Sequence, residues 1–371
     1  MERDRKISEV AQAARKGFSD IDMTLEAEQI AWLASNSVNQ TDTSSKYDWG
    51  IEPLATVVAV FKGRGGATAG FIDQVQSSSE EIVGLILDKS PFYYESGGQI
   101  NDTGLLTFVE GNTSFVVENV QVYGGFVVHL GRLQAGQSVA VGTAAKVSVD
   151  YSRRSLIAPN HTMTHVLNYS LKRVLLGGEE SNGLIDQKGS LVDTEKLRFD
   201  FSWNGAISKE QLAEIETIVR KQISDALPVY SEVVGLADAS QINGLRKVFG
   251  ERYPDPVRVI SVGADIAEML RDPTSTRWTG YSIEFCGGTH LTNTKEAEDF
   301  VIIEESGISK GIRRVVGLTR GAAKHARERA SAVLGRLTEL EAMTAGPELQ
   351  LLSKSLSREV TKFISLFTDV R

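Results

Sequence analysis

The chain has 371 residues, of which 41% are hydrophobic and 24% are charged, and its formal net charge is −8. These proportions are those of an ordinary folded protein and exclude the disordered and fibrous classes, while the acidic balance argues against a protein that coats nucleic acid indiscriminately. A chain of this length predicts two or three domains with a sizeable buried core.

The N-terminal region, residues 1–50, consists of a charged, alanine-rich segment and a polar one. Residues 1–35 predict one or two helices, and the sequence SNSVNQTDTSSKYDWG at 35–50 predicts a linker. The N-terminal sequence MERDRKISEVAQAARKG has no apolar core of a signal peptide, and no apolar run approaches the roughly 18 residues of a membrane span. We therefore expect no membrane partner and a cytoplasmic location, with an organellar form left open.

Residues 51–152 contain short β-rich runs separated by glycine, asparagine or serine turns. The runs are ATVVAVF, EIVGLILD, SFVVENVQVY, FVVHLG and AKVSVDY. Their spacing is typical of a small barrel or sandwich. We predict a β-barrel-like subdomain for this region.

Residues 153–320 mix helices and strands and predict an α+β core. Because Asn160 is a good N-cap residue, we predict a helix that runs from Asn160 to the Gly177-Gly178 pair. The segment ISKEQLAEIETIVRKQISDAL predicts an amphipathic helix, and the predicted strands are KGSLV, KLRFDFS, PVRVISVG, DFVIIEES and GIRRVVGLT. The fold class is therefore α+β throughout, with helical appendages at both ends.

The C-terminal region, residues 321–371, predicts a helical tail that is interrupted at Gly346-Pro347. Leucines at helical spacing predict a tail that packs on the core or supports self-association: Leu334, Leu337 and Leu340. Positive charge is concentrated where the tail begins, in the tract Lys310, Arg313, Arg314, Arg320, Lys324, Arg327 and Arg329. This tract is either a local basic surface or an ordinary solvated face.

A pair of histidines lies four positions apart in NHTMTHVLNYSLKRVL, residues 160–175. On a helix, His161 and His165 point about 40° apart, whereas the aliphatic side chains of the segment lie nearly opposite them. Those side chains are Met163, Leu167, Leu171 and Val174. The pattern favours a helix that buries one face in a core and presents two imidazoles to something else. The alternative is that both histidines are exposed and have no task.

A second pair with the same spacing, Cys286 and His290, lies in EFCGGTHLTN, where two glycines favour a tight loop over a helix. Cys286 is the only cysteine in the chain, which excludes an intramolecular disulfide. Three imidazoles and one thiolate are a ligand set that zinc prefers. We therefore predict one Zn²⁺ ion bound by these two residues together with His161 and His165. The two pairs lie 125 positions apart, so only the fold can bring them together.

Other candidate motifs fail on their residue types. A His-Glu-x-x-His metalloprotease needs a glutamate after the first histidine, where this chain has Thr162. The GRGG segment at 63–66 has no downstream Gly-Lys-Ser/Thr signature, so it predicts a turn rather than a phosphate-binding loop. His129 lies in the apolar run FVVHL and is predicted to be a strand residue, and His325 belongs to a charged helix that at most contacts phosphate.

Several motifs, in order along the chain, resemble the editing region of the alanyl-tRNA synthetase family, most closely its eukaryotic form. They are SGGQINDTG, HTMTH, DQKGSLV with RFDF, EFCGGTH and KGIRRVVGLTRG. Free-standing alanyl-tRNA editing proteins share the same two metal-binding pairs. The resemblance implies a zinc-bearing α+β editing core that hydrolyses the ester of tRNA(Ala) wrongly charged with serine or glycine. It also implies the acceptor end of tRNA(Ala) as a partner.

The resemblance assigns roles to single residues. The metal ligands of the family match His161, His165, Cys286 and His290. Thr164 matches the threonine that in the family contacts the hydroxyl of serine, which places it in both the catalytic and the substrate-binding sets. The alternative for Thr164 is a hydroxyl bonded back to the carbonyl one turn earlier.

The remaining assignments lie outside the histidine helix. Gln187, at the start of QKGSLV, matches a glutamine implicated in editing and is assigned to catalysis and substrate binding. Gly98 and Gln99 belong to the glycine-rich motif that helps to join the β subdomain to the core, and the resemblance also assigns them to substrate binding. Arg313 and Arg314 are assigned to the acceptor end of the tRNA.

A second site makes chemical sense for this substrate. An apolar synthetic pocket rejects the extra hydroxyl of serine only by about a hundredfold, whereas a site that hydrogen-bonds the hydroxyl discriminates by up to roughly 10⁴ to 10⁵. The role of zinc stays open, because four protein ligands close a tetrahedral ion while hydrolytic zinc keeps a position for water. Either one of the four ligands leaves the zinc and makes room for a water, or zinc only shapes the pocket and other groups hold the water. No general base is assigned.

We expect the chain to be the editing part of a longer synthetase, whose parent activity is the ATP-dependent attachment of alanine to tRNA(Ala). No adenylate-forming domain is recognisable in the sequence, so we expect no charging of tRNA by this chain alone, and the rest of the synthetase as a partner. One alternative is a non-catalytic tRNA-binding module with structural zinc. Another is an assembly domain that acts through its C-terminal helix.

Overall fold

A computed structural model of the chain describes residues 23–369 except positions 67, 77–80, 111–112, 134–135, 178–184, 249 and 344–345. The chain divides into two compact units, Met1–Leu156 and Ile157–Arg371. The finer division at residues 50 and 320 stays a prediction. In the described part of the chain, no helix is both long and apolar enough to cross a membrane.

The first unit consists of a short helix and antiparallel β-structure. Helix α1, Ala27–Ser35, confirms a helix in the N-terminal region, and the part of that prediction that falls on residues 1–22 lies outside the described residues. The strands are β1 Leu54–Phe61, β2 Phe71–Ile72, β3 Gln74–Gln76, β4 Val83–Leu87, β5 Gly104–Phe108, β6 Ser114–Tyr123, β7 Phe126–Leu133, β8 Ser138–Ala140 and β9 Ala144–Val149. Among the described residues, six strands close into a barrel in the order β1-β4-β7-β6-β5-β9, because β9 pairs back to β1. The predicted β-barrel is confirmed.

Alternating side chains explain why this barrel closes. Successive residues of a strand point to opposite faces of a sheet. One set, which includes Val57, Leu85 and Val127, comes from all six barrel strands and fills the interior. The other set, which includes Phe61, is covered on part of the outer surface by α1 through the buried side chain of Leu33.

The second unit begins within a long helix and contains two sheets. Helix α2 is Tyr151–Leu175, and the elements that follow are β10 Gln187–Val192, β11 Leu197–Ser202, α3 Lys209–Ser224, β12 Val229–Val234, α4 Leu236–Ala239, β13 Leu245–Arg246, β14 Val257–Val262, α5 Ile266–Arg271, β15 Ser282–Phe285, β16 Phe300–Ser309, β17 Ile312–Thr319, α6 Arg320–Glu341 and α7 Pro347–Asp369. One sheet has the order β10-β11-β17-β16, and the other has the order β12-β14-β15-β13. The predicted α+β core and helical tail are confirmed.

The apolar stripe of α2 packs where the sequence predicts it. Met163 and Leu167 are fully buried in one cluster with Phe199 and Phe201 of β11. Helix α3 adds Ile215 and its neighbours to the same cluster. This packing fixes the rotation of α2 and therefore the direction in which its opposite face points.

The predicted start of α2 at Asn160 is wrong. The helix begins earlier and is capped by Asp150, whose Oδ1 accepts a hydrogen bond from Arg153 N at 3.0 Å. Asn160 lies inside the helix and uses its amide elsewhere: Nδ2 donates to Asp193 O at 2.9 Å, and Oδ1 accepts from Thr319 Oγ1 at 2.7 Å. A residue type suited to capping therefore serves tertiary contacts here.

Candidate metal centre

The four side chains predicted as metal ligands converge in the second unit. Their ligand atoms all lie within 4.8 Å of one another. Cys286 Sγ is 3.3 Å from Nε2 of His161 and 3.3 Å from Nε2 of His290, and the ring centre of His165 is 4.6 Å from that of His290. Two pairs that are 125 positions apart in the sequence thus meet in the fold, and the described residues could hold a metal ion at this point. Zinc itself stays a prediction.

A partly buried arginine shapes the loop that carries Cys286. The loop follows β15 directly, and Arg258 on the neighbouring strand β14 donates through Nη1 to Cys286 O at 3.1 Å and to Gly288 O at 2.6 Å. Gly288 N also donates to Cys286 Sγ at 3.3 Å. The tight loop that the two glycines predict is therefore present, and Arg258 holds it.

The spacing of the donors fits a shared ion. Zinc–nitrogen bonds of about 2.0–2.1 Å and zinc–sulfur bonds of about 2.3 Å at tetrahedral angles separate the nitrogen and sulfur ligands by about 3.6 Å. The two 3.3 Å contacts of Cys286 are close to that separation. Imidazole nitrogen and thiolate together suit a divalent ion of borderline softness.

Burial sets the protonation of these groups. It lowers the pKa of His165 to about 3 and the pKa values of His161 and His290 well below their ordinary range. The imidazoles are therefore neutral at pH 7, as a ligand must be. Burial also raises the pKa of the Cys286 thiol to about 12, so the thiol keeps its proton until a bound cation deprotonates it.

A buried carboxylate borders the cluster. Glu284 Oε2 lies 3.6 Å from His165 Nε2, and Oε1 accepts a hydrogen bond from Asn168 Nδ2 at 2.9 Å. Burial raises the pKa of Glu284 to about 7, and the nearby charge of Arg246 opposes that shift. The distance of 3.6 Å would allow an ion pair. Because His165 is neutral, the contact is not one.

Glu284 and Arg258 are not among the residues predicted from the sequence. A signal for both was present, because each is a charged residue inside an otherwise apolar strand: SIEF for Glu284 and VRVISV for Arg258. A charge on a buried strand requires a partner. Glu284 has partners beside the cluster, and Arg258 donates to the Cys286 loop as well as to Ser231.

Comparisons with known proteins identify the family of this chain. A family model described as "tRNA synthetases class II (A)" matches residues 2–153, and one described as "Threonyl and Alanyl tRNA synthetase second additional domain" matches residues 257–316, which supply Cys286 and His290. The cytoplasmic alanine–tRNA ligase of Dictyostelium discoideum is 42% identical over 358 residues, which are 96% of this chain and 36% of that protein. The chain belongs to the alanyl-tRNA synthetase family.

Two further relatives are covered to a similar extent. The alanine–tRNA ligase of Candida albicans is 43% identical over 334 residues, 89% of this chain and 33% of the relative. The mitochondrial alanine–tRNA ligase of Saccharomyces cerevisiae is 44% identical over 308 residues, 83% of this chain and 30% of the relative. The chain spans about a third of the length of the curated relatives it matches.

Thr164, which the family resemblance places beside the substrate, is buried on α2 and lies between His161 and His165 in the sequence. Its Oγ1 donates to Asn160 O at 2.7 Å, which is the local hydrogen bond of the alternative interpretation. The hydroxyl proton is thus engaged, and toward any further group Oγ1 acts as an acceptor. Its contact with substrate stays a prediction.

Gln187 and Arg313 lie in one row of the sheet, that is, at paired positions on either side of Phe201. Gln187 at the start of β10 is paired in register with Phe201, and Phe201 is paired on its other side with Arg313. Two strand spacings separate the ends of the row, about 10 Å. The Gln187 amide donates to Ser190 Oγ at 3.3 Å. The roles predicted for Gln187 and Arg313 are compatible with this row and stay predictions.

The arginines assigned to the tRNA acceptor end form ion pairs within the fold. Arg313 Nε donates to Glu305 Oε1 at 2.6 Å. Arg314 binds Asp200 through Nε and Nη2 at 2.7 and 2.8 Å. Any contact that they make with a phosphate therefore competes with a carboxylate already in place.

Gly98 and Gln99 belong to the first unit. Gly98 has a φ of 87°, and the turn is closed by Gln99 N donating to Ser96 O at 3.0 Å, with the Gln99 side chain fully buried. In the same motif, Asp102 forms a buried ion pair with Arg154. The motif therefore stabilises the first unit around the start of α2, and its predicted contact with substrate stays a prediction.

Proposed function

We propose that this chain hydrolyses the ester of tRNA(Ala) mischarged with serine or glycine, as the editing part of an alanine–tRNA ligase. One observation carries the proposal: three buried imidazoles and one thiol converge in a chain of the alanyl-tRNA synthetase family. The parent activity would be the attachment of alanine to tRNA(Ala). A cytoplasmic location is proposed as well, although the relatives are named as both cytoplasmic and mitochondrial proteins.

His161, His165, Cys286 and His290 would hold one zinc ion. Such an ion supplies positive charge that polarises a nearby ester or water. Because the four protein groups fill a tetrahedral ion, we assign the positioning of the attacking water to this chain's own polar groups. Gln187 is the proposed orienting group, through its side-chain amide.

Thr164 would read the substrate side chain. Its proton is donated to Asn160 O, so Oγ1 can accept the hydroxyl proton of serine. The methyl group of alanine offers no proton and would leave a buried acceptor unpaired, which costs about 1–3 kcal/mol. Correctly charged tRNA is thereby disfavoured at this position, while glycine must be recognised by other means.

The proposed tRNA contacts involve Arg313 and Arg314. Both lie on β17 with their side chains on opposite faces of the sheet, and Arg313 shares its face with Gln187. Guanidinium groups bind phosphate oxygens in a bidentate manner, so these two residues would hold the acceptor end once a phosphate displaces Glu305 or Asp200.

The experiment offers the purified chain Ser-tRNA(Ala) and Ala-tRNA(Ala) separately, with and without a chelator. We expect serine to be released faster than alanine, and we expect the chelator to abolish the difference. Cys286→Ser serves as a matched loss of one ligand. Equal release of both amino acids, or release of neither, contradicts the proposal.

One observation favours a second candidate, a non-catalytic tRNA-binding module with a structural ion. Four protein donors around one point are the pattern of structural zinc sites. In that case Gln187→Ala and Thr164→Val leave the decay of Ser-tRNA(Ala) unchanged while the chain still binds tRNA(Ala). The deacylation assay therefore separates the two functions.

A further inference from the structure

Thr162 lies between the two ligand pairs and contacts both parts of the metal centre. Its side chain is fully buried. Its Oγ1 lies 3.0 Å from Ala158 O, 3.1 Å from Leu291 N and 3.2 Å from His290 Nδ1. Thr162 therefore connects α2, which supplies two ligands, with the loop that supplies the other two.

The three contacts determine where the protons are. A threonine hydroxyl has one proton to donate and two lone pairs to accept with. Leu291 N–H can only donate to Oγ1, and Ala158 O can only accept from it, so the hydroxyl proton points to Ala158 O. In the third contact, between Thr162 Oγ1 and His290 Nδ1, the histidine nitrogen must therefore carry the proton and donate it to the hydroxyl oxygen.

The opposite arrangement is unfavourable. If the hydroxyl proton pointed to His290 Nδ1, two oxygens, Thr162 Oγ1 and Ala158 O, would face each other at 3.0 Å without a proton between them. His290 would then carry its proton on Nε2, the atom that lies 3.3 Å from Cys286 Sγ. That tautomer could not bind an ion beside the sulfur.

We propose that Thr162 is a positioning residue of the metal centre, which fixes His290 as the Nδ1–H tautomer and so presents the Nε2 lone pair to the ion. Metal-binding histidines generally donate their second ring N–H to another group, which sets both the tautomer and the orientation of the ring. Here that group is a hydroxyl on the helix that carries His161 and His165. The bond from Leu291 N holds the backbone next to His290 as well. The inference rests on the metal site of the proposed function and does not require ester hydrolysis.

The first test measures zinc affinity of the full chain by competition with a chromophoric chelator. Thr162→Val keeps the shape of the side chain and removes the hydroxyl, and we expect it to weaken zinc binding by about 10- to 100-fold. Thr162→Ser keeps the hydroxyl, and we expect it to restore wild-type affinity. Equal affinity of wild type and Thr162→Val, or no rescue by Thr162→Ser, would overturn the inference.

The second test needs no variant of Thr162. Long-range nitrogen–proton NMR spectra of the histidine-labelled, metal-free wild type report which ring nitrogen of His290 is protonated, with the signals assigned by their loss in His290→Gln. We expect protonation at Nδ1, and protonation at Nε2 would overturn the inference. A wild type that binds zinc but does not deacylate tRNA would contradict the proposed function alone, whereas a wild type without zinc affinity would overturn both.

Discussion

Two regions of the molecule bury histidine, and they do so in different ways. In the barrel, His129 Nδ1 donates to Leu85 O at 3.0 Å, and Nε2 accepts a hydrogen bond from Ser90 Oγ at 2.7 Å, so both ring nitrogens have partners. In the second unit, the Nε2 atoms of His161 and His290 instead face the sulfur of Cys286.

The difference shows that burial does not by itself identify a metal ligand. Burial lowers the pKa of His129 to about 4 and also lowers the pKa values of the three clustered histidines. The two regions differ in the group that the ring Nε2 atom faces. It is the Ser90 hydroxyl for His129 and Cys286 Sγ for His161 and His290. Both ring nitrogens of His129 have partners in the barrel, which confirms the expected strand residue, whereas the ligand atoms of the cluster lie within 4.8 Å of one another.

The largest effect is expected from the loss of a ligand. An apparent zinc-binding free energy of about 10–16 kcal/mol shared among four ligands is about 3 kcal/mol per ligand, so we expect Cys286→Ser to weaken zinc binding by a hundredfold or more. His129→Leu should leave zinc affinity unchanged. Competition titrations of both variants provide the measurement. A comparable loss of zinc in His129→Leu would break the distinction between the two regions.

A smaller effect, on stability, is expected in the barrel. Because the pKa of His129 is about 4 in the folded chain and about 6.5 in the unfolded chain, the unfolded chain binds more protons between these pH values. Stability therefore falls as the pH drops from 6.5 towards 4, and His129 contributes a loss of about 2 kcal/mol between pH 7 and pH 5.

The measurement is denaturant unfolding of wild type and His129→Leu at pH 7 and pH 5. The variant lacks the titrating ring and should lose about 2 kcal/mol less than the wild type over this interval. At pH 7 it should already be less stable, because Ser90 and the Leu85 carbonyl lose their partner. Equal losses in the two proteins would show that the barrel does not hold His129 as the neutral ring.

The four clustered side chains could be predicted from sequence, whereas the groups that support them could not. Spacing and ligand chemistry indicate His161, His165, Cys286 and His290 because a metal site needs particular atoms at short range. Thr162 entered the sequence analysis only as the residue that excludes a metalloprotease. Its role depends on a contact across 128 positions with His290, which no local pattern contains.

The same limit explains the wrong start of α2. Asn160 has the right residue type for a cap, but capping depends on which polar group is closest once the chain has folded. Asp193 and Thr319 bind its side chain instead. The strands of the barrel were predictable because their alternation is a local property, whereas closure through β1 and β9 is a pairing of distant segments.

A more moderate effect is expected at Thr164, whose hydroxyl proton has a local acceptor, as the ring proton of His129 has. We expect Thr164→Val to slow the deacylation of Ser-tRNA(Ala) by about tenfold, the value of one hydrogen bond, with little change for Ala-tRNA(Ala). Thr164→Ser retains the acceptor and serves as the control. Single-turnover rates for both substrates provide the measurement. An equal slowing of both substrates would assign Thr164 to helix structure alone.

The smallest effect concerns the basic tract at 310–329, several of whose cations also have partners within the fold. Lys324 Nζ lies 2.6 Å from Glu298 Oε2, and Arg320 Nε lies 3.2 Å from Glu298 Oε1. Such surface pairs are worth about 0.2–1 kcal/mol, so a phosphate can exchange with the carboxylate at little cost. If the tract faces tRNA, Glu298→Gln should release both cations and raise tRNA(Ala) affinity by about two- to fivefold.

Salt titrations of tRNA binding provide the measurement, because each phosphate contact steepens the dependence of affinity on salt by about 0.7–0.9 logarithmic units. We expect a steeper slope for Glu298→Gln and a shallower one for Lys324→Gln. Unchanged slopes in both variants would mean that the tract is a solvated face whose charges serve the fold. In that case the ion pairs within the fold would keep these surface cations from binding phosphate, just as the hydrogen bonds of His129 keep its ring from binding a ligand in the barrel interior.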